Sequence, residues 1–175
     1  MESLADVFKA KPTLLVVDDE EGIREILSMT LDRMGAKVLE ASSAQEALEV
    51  LQREKVDVVL SDIRMKGQTG LDLLSRCHVQ GISVPFIFLT GYDTGEYMMR
   101  AVRLGAMDFI IKPISTDELH LTVSRVLAVT LRRNQIAAII DTVADQLPPE
   151  KRKEVDDLKL QIAMIRSMLA KKRDE

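Results

Sequence analysis

The segment LLVVDDEEG, residues 14–22, sets four apolar residues directly against four acids. Leu14–Val17, with Thr13 ahead of them, form a continuous run of the kind found in a strand covered on both faces. Asp18, Asp19, Glu20 and Glu21 then crowd negative charge where that strand should end. Carboxylates packed so closely raise one another's pKa or require a cation. The fold and the chemistry both depend on what stands beside them.

After Gly22 the apolar spacing alternates between two periods. Residues 20–35 place Ile23, Ile26, Leu27 and Leu31 at helical spacing and stop at Gly35. Residues 36–41 (AKVLEA) read as a strand, and 42–55 as a helix with Ser43 as N-cap and Glu46 completing a capping box. Strands follow at 56–61, 84–90 and 107–111, separated by helices at 70–81 and 94–105. A long helical pattern begins near Asp117. Strand–helix alternation repeated five times implies an α/β fold with a doubly wound five-stranded parallel sheet. In such folds ligands sit beyond the carboxyl ends of the strands.

Composition narrows the class. The chain has 175 residues, 46% hydrophobic and 30% charged, which suits a globular protein of one domain plus an appendage. Residues 1–115 carry 13 Lys and Arg against 18 Asp and Glu, and residues 116–175 carry 11 against 10. Neither part has the basic excess of a nucleic-acid-binding surface, so no direct nucleic-acid binding is expected. Cys77 is the single cysteine, which excludes an internal disulfide and fits a reducing cytosol. No apolar run approaches a membrane span, and the N-terminus lacks a secretory pattern, so a cytoplasmic location with no membrane contact is expected.

The residues that follow each strand carry the chemistry. Asp18 and Asp19 follow the first strand, Asp62 the third, Thr90 the fourth, and Lys112 with Pro113 the fifth. Three carboxylates, a hydroxyl and an ammonium should therefore converge at one sheet edge. An oxygen-only cluster suits Mg²⁺, which takes one or two carboxylates and keeps waters for a phosphate. An ammonium can hold a phosphate oxygen, and an Asp in such a site can act as a nucleophile and form an acyl phosphate.

With these positions fixed, LLVVDDE (14–20), DVVLSDIRM (57–65), FIFLTG (86–91) and DFIIKPI (108–114) resemble, in order, the four motif regions of the response regulator receiver domains. The resemblance covers roughly residues 12–130. It implies a flavodoxin-like fold with strand order 2-1-3-4-5, for which a member of the same family is the standard example. It further implies that Asp62 is the phospho-acceptor. Mg²⁺ would be held by Asp19, Asp62 and the backbone carbonyl of Arg64, with Asp18 helping directly or through water. Thr90 and Lys112 would contact the phosphoryl group. Thr90 and Phe109 would act as the switch, reshaping the face formed by the fourth helix, fifth strand and fifth helix counted from Glu20. The Lys112–Pro113 bond would be cis. Arg64 and Tyr92, each two residues past a motif position, would modulate the lifetime of the phosphoryl group. The implied partner is a sensor histidine kinase or phosphotransfer protein, and no enzymatic activity is expected beyond self-phosphorylation from a donor and autodephosphorylation.

Plainer readings exist for each residue taken alone. Asp18 and Asp19 could cap the first helix, Thr90 could cap a turn, and Phe109 could be core. Matching positions at four strand ends favour the convergent site. Cys77 and His78 fall on a helix away from those ends and read as structural.

Beyond residue 130 the helical pattern continues to Leu147, breaks at PPE (148–150) and resumes to about Lys172. Ile136, Ile140, Val143 and Leu147, then Val155, Leu158, Ile162, Ile165 and Leu169, step by three and four as heptad-like stripes. The expected organisation is a tail at 1–12, a receiver domain at 13–130 and a helical extension at 131–175, made of an extended fifth helix and an additional C-terminal helix. The hairpin would pair with a second copy as a homodimer or fold back within one chain. The alternative reading makes the chain the regulatory part of a larger transcription factor or output enzyme whose effector domain lies beyond Glu175.

Overall fold

The computed structural model describes residues 3–8, 10–91 and 95–171, without the side chains of Val7, Phe8, Ala163 and residues 165–171. The elements run α1 (Leu4–Phe8), β1 (Thr13–Val17), α2 (Glu21–Arg33), β2 (Lys37–Ala41), α3 (Ala44–Arg53), β3 (Val58–Asp62), α4 (Gly70–Val79), β4 (Phe86–Thr90), α5 (Gly95–Arg103), β5 (Asp108–Ile111), α6 (Thr116–Asp145) and α7 (Pro149–Lys171). The five strands form one parallel sheet in the order β2-β1-β3-β4-β5, as expected. Two compact units are present, Met1–Ala128 and Val129–Glu175.

Alternation along each strand sends side chains to two separate cores. Leu15, Val17, Val59, Phe86 and Phe88 face α3, α4 and α5, and meet Leu48, Leu71, Leu74, Cys77 and Ala101. Leu14, Val16, Val58, Leu60, Ile87, Leu89 and Ile110 face the other way, against Leu27 and Leu31 of α2 and Leu119, Val123, Val126 and Leu127 of α6. Both faces of the sheet are covered, which is why the central strands β1, β3 and β4 carry continuous apolar runs. Burying each such side chain stabilises the fold by about 1.5–3 kcal/mol before conformational entropy is charged against it.

Local signals mostly met their structural counterparts, with two differences. Ser43 caps α3 by accepting the Glu46 amide, but the Glu46 carboxylate accepts from the amide and hydroxyl of Ser42 rather than from the Ser43 amide. A complete capping box opens α4 instead, between Thr69 and Asp72. The second difference is α1, five residues too short to show a repeat in sequence. Its Leu4 is 0% exposed within the α2–α6 core, and the Leu4 amide donates to the Met34 carbonyl at 2.8 Å. Gly35 makes room for this segment: its φ is +94°, and a Cβ there would lie 2.4 Å from the Ser3 hydroxyl.

In the second unit, α7 folds back along the end of α6. Pro149 occupies the first turn of α7, where its missing N–H costs nothing. Lys159 reaches Asp141 at 2.6 Å, and Arg152 donates to the Asp145 carbonyl at 2.5 Å. Ile139, Ile140, Val143, Ala144, Leu147 and Val155 line a cavity of about 210 Å³. Ile136, Ile139, Ile140, Val143, Leu158 and Ile162 stay substantially exposed. Among the described residues no helix is long and apolar enough to cross a membrane.

Candidate functional site

Parallel register brings the strand ends into line. Val17 pairs with Ser61, Asp62 with Leu89, and Thr90 with Ile111, so Asp18, Asp62, Thr90 and Lys112 end at one edge. The Lys112 amide donates to the Thr90 carbonyl at 2.7 Å, fixing the start of the β5–α6 loop. The Lys112–Pro113 peptide is cis. From there the Lys112 ammonium lies 2.6 Å from Asp62 Oδ1 and 3.2 Å from Asp18 Oδ2.

Each carboxylate has a second, backbone donor. Asp62 Oδ2 accepts the Arg64 amide at 2.7 Å, and Asp18 Oδ1 accepts the Glu20 amide at 2.9 Å. Asp19 Oδ2 accepts the Lys66 amide at 3.2 Å, which links the β1–α2 loop to the β3–α4 loop. Asp18 is 1% and Asp62 8% exposed, whereas Asp19 is half-buried at the rim. The Arg64 side chain is exposed.

Burial pushes the Asp62 carboxyl above its ordinary pKa and the Asp18 charge adds to that. The Lys112 ammonium and the Arg64 amide offset only part of it. For Lys112 burial works downward, but the hydrogen bonds and charges of Asp62 and Asp18 outweigh it and hold the ammonium above its ordinary value. Lys112 therefore stays a cation throughout the physiological range.

Thr90 is buried and its hydroxyl donates to the Gly91 carbonyl at 3.2 Å, so it stands at the same edge, joined to Lys112 through the main chain. Phe109 is half-buried, with its ring centroid 6.3 Å from that of Phe88, its register partner on β4. It lies within β5 and outside the polar cluster. Tyr92 falls outside the described residues. Cys77 is buried, its thiol pushed up to about 11 by burial, which suits an inert core position.

The donor set suits a hard divalent cation. Asp18, Asp19 and Asp62 bring three carboxylates against one ammonium, all ligating atoms being oxygen. Among the described residues no three acidic, His or Cys groups are arranged to enclose an ion by themselves. Mg²⁺ fits that arrangement, because it takes one or two carboxylates and completes its shell with water and substrate oxygens.

Sequence reasoning passed over two residues. Arg24 donates to the Asp18 main-chain carbonyl at 2.8 Å, and Gly70 packs its Cα against the Asp62 backbone. Arg24 reads as an ordinary helix-surface cation and Gly70 as a helix start, since neither interaction has a sequence period. An apolar groove of about 340 Å³ adjoins Lys112, lined by Ile23, Ile26, Leu27, Pro113 and Ile114 among others.

Comparison with known proteins bears on this arrangement. The family model for the response regulator receiver domain matches residues 14–124. The response regulator protein PilR of Pseudomonas aeruginosa is 33% identical over 135 residues, 77% of this chain and 30% of that protein. The alkaline phosphatase synthesis transcriptional regulatory protein PhoP of Bacillus subtilis is 36% identical over 125 residues, 71% of this chain and 50% of that one. The chain thus spans between 30% and half of the length of these two relatives. Among solved structures, the chemotaxis response regulator CheY4 of Vibrio cholerae superposes with a TM-score of 0.63 at 30% identity, covering 67% of this chain and 99% of that one. The receiver domain of NtrX from Brucella abortus gives 0.62 at 34% identity, covering 65% and 97%.

Proposed function

The chain belongs to the response regulator receiver domain family, and from that premise we propose that it accepts a phosphoryl group on Asp62 from a sensor histidine kinase or phosphotransfer protein and signals through a change of shape. Receiver domains are signalling domains rather than catalytic enzymes, and they generally bind Mg²⁺ at the phosphorylation site. The observation that most supports the reading is the Lys112 ammonium held 2.6 Å from one oxygen of Asp62.

In the proposed reaction the ionised Asp62 oxygen attacks the donor phosphorus. The bond from phosphorus to the donor breaks, the donor leaves with the electron pair, and an acyl phosphate remains. Lys112 is placed to exchange a carboxylate oxygen for a phosphoryl oxygen without leaving its loop. The Thr90 hydroxyl supplies a second donor from the neighbouring strand end. The Arg64 amide holds the other Asp62 oxygen, which leaves Oδ1 to react. Asp19, Asp62 and the Arg64 carbonyl, with Asp18 directly or through water, would hold Mg²⁺, which when bound supplies positive charge against the phosphoryl oxygens. The apolar groove beside Lys112 offers a phosphodonor protein a surface to land on.

The signal would leave through Thr90 and Phe109 to the face made by α5, β5 and α6, where Met99, Val102, Ile111 and Leu121 are exposed. Driving such a switch from 1:99 to 99:1 needs about 5.5 kcal/mol of differential stabilisation. Charge-assisted bonds from Lys112 and Thr90 in a partly buried site are the source proposed for it. The hairpin of residues 131–171 would join a second copy through its exposed stripe. The location would be cytoplasmic.

The test is Asp62→Asn, which keeps the shape and removes the nucleophile. Acid-labile phosphate incorporation from acetyl phosphate with Mg²⁺ should be abolished, and undiminished labelling would show that the acceptor lies elsewhere. A second reading has this chain as the regulatory part of a longer transcriptional regulator. It draws on the greater length of the relatives and on the name of PhoP, and coding sequence past Glu175 would favour it.

A further inference from the structure

The Asp18–Asp19 peptide stands at the centre of the acidic edge, and its two halves are anchored differently. Asp18 is fixed on every side. Its amide donates to the Ala41 carbonyl on β2 at 3.3 Å, and its carboxylate meets the Glu20 amide and Lys112. Among the described residues the Asp19 carboxylate meets only the Lys66 amide, at 3.2 Å, on a loop across the site. The direction in which Asp19 leaves the backbone is therefore set by the plane of the peptide that precedes it. The oxygen of that peptide is the Asp18 carbonyl, and it accepts from Arg24 Nη1 at 2.8 Å.

Arg24 is well placed to hold that plane. It lies in the first turn of α2, and its amide donates to the Glu20 carbonyl. Its side chain is 14% exposed, and its Nε lies 3.8 Å from Glu40 on β2. One planar guanidinium thus ties α2, the β1–α2 loop and β2 together. A charged donor on a carbonyl gives a stronger bond than a neutral one.

We infer that Arg24 is a positioning residue for the acidic site: by fixing the Asp18–Asp19 peptide plane it aims the Asp19 carboxylate at the cation that site takes. The inference rests on the phospho-acceptor reading above and names one residue that acts through another. Arg24 touches neither carboxylate of the pair, so its effect has two components of opposite sign. Its geometry aids cation binding, because it holds a ligand in place. Its positive charge opposes cation binding, as any like charge nearby does. The sign of the mutational effect therefore decides which component dominates.

The experiment measures Mg²⁺ affinity by calorimetric titration on the full chain for wild type, Arg24→Met, Arg24→Lys and Asp19→Ala, with thermal unfolding in EDTA as the control for folding. Loss of an outer residue that orients a metal ligand costs about 10–100-fold in affinity. Arg24→Met should weaken Mg²⁺ binding by about tenfold, and Arg24→Lys, which keeps a charged donor of similar reach, should restore most of it. A folded Arg24→Met protein that binds Mg²⁺ as well as or better than wild type would overturn the inference, because charge would then outweigh positioning. A Lys variant as weak as the Met variant, while still folded, would also overturn it, since the donated hydrogen bond would not be the cause. Asp19→Ala separates the levels. If it abolishes binding while Arg24→Met does not weaken it, only the role of Arg24 fails. If Asp19→Ala binds normally, the acidic site itself is misassigned and the inference falls with it.

Discussion

Replacing Gly70 by Ala tests how closely the β3–α4 loop must fold back on the phospho-acceptor. Gly70 opens α4, and its amide donates to the Ile63 carbonyl at 3.0 Å. A Cβ at this position would lie 2.3 Å from the Asp62 carbonyl oxygen, 2.6 Å from Ser61 Oγ and 3.0 Å from Phe88 Cε1. The first distance is roughly 1 Å inside ordinary van der Waals contact and involves main chain, which cannot swing away as a side chain can. The Ser61 hydroxyl is itself committed to the Asp62 carbonyl at 2.9 Å. Overpacking of this kind costs about 1–3 kcal/mol, and the shift from Gly to Ala in a helix returns up to about 1. Because the clash is with main chain the cost falls at the upper end of that range, and a net loss of about 2 kcal/mol follows, or roughly a 30-fold fall in the folded-to-unfolded ratio. In urea the midpoint should drop by about 1 M for an m-value near 2 kcal/mol/M. Gly22→Ala is the matched control, because a Cβ there meets nothing within 4 Å. It should be neutral or gain about 0.4–1 kcal/mol. Urea unfolding followed by circular dichroism, without Mg²⁺, reads both. Equal midpoints for the two variants would refute the steric argument.

Three further outcomes are expected. Since burial raises the Asp62 pKa, the folded state holds that proton to higher pH than the unfolded chain; the associated stability is present below about pH 3.9 and lost as pH rises through the folded value. In EDTA, Asp62→Asn should accordingly gain stability over wild type at pH 7 and show little gain at pH 3.5; a gain of equal size at both would contradict the burial argument. Ile26→Asp puts a charge on an exposed residue of the groove beside Lys112 and should slow phosphotransfer from a histidine kinase, so an unchanged transfer rate would remove that groove as the landing surface. For the hairpin, light scattering should give twice the chain mass at micromolar concentration. Ile136→Asp, at a position 58% exposed, should halve it without loss of helix. A wild-type monomer with and without beryllofluoride would leave the hairpin self-contained.

The sequence by itself determined the layered sheet and the strand-end residues. The three central strands are buried on both faces, so LLVV (14–17), VVL (58–60) and FIFL (86–89) are unbroken apolar runs, and such a run can end only where polar residues take over. Asp18, Asp62 and Thr90 stand at those endings, and Lys112 comes one residue after Ile111 at the end of β5. The parallel topology then forces their convergence, which is why the acidic edge is legible in the sequence. Tertiary structure decided what depends on distance rather than period. The second bond of the Glu46 carboxylate went to Ser42, because the loop before α3 turns its outer amide toward the helix. Helix α1, five residues long, has no repeat to announce it and exists because Leu4 finds the gap beside Leu31 and Met34. Arg24 and Gly70 contact the site through main-chain carbonyls, and every residue has a carbonyl, so no pattern of side-chain types could have marked them. The pull of Lys112 toward Asp62 over Asp18, 2.6 against 3.2 Å, likewise follows from how far β5 lies from each strand, which only the assembled sheet fixes.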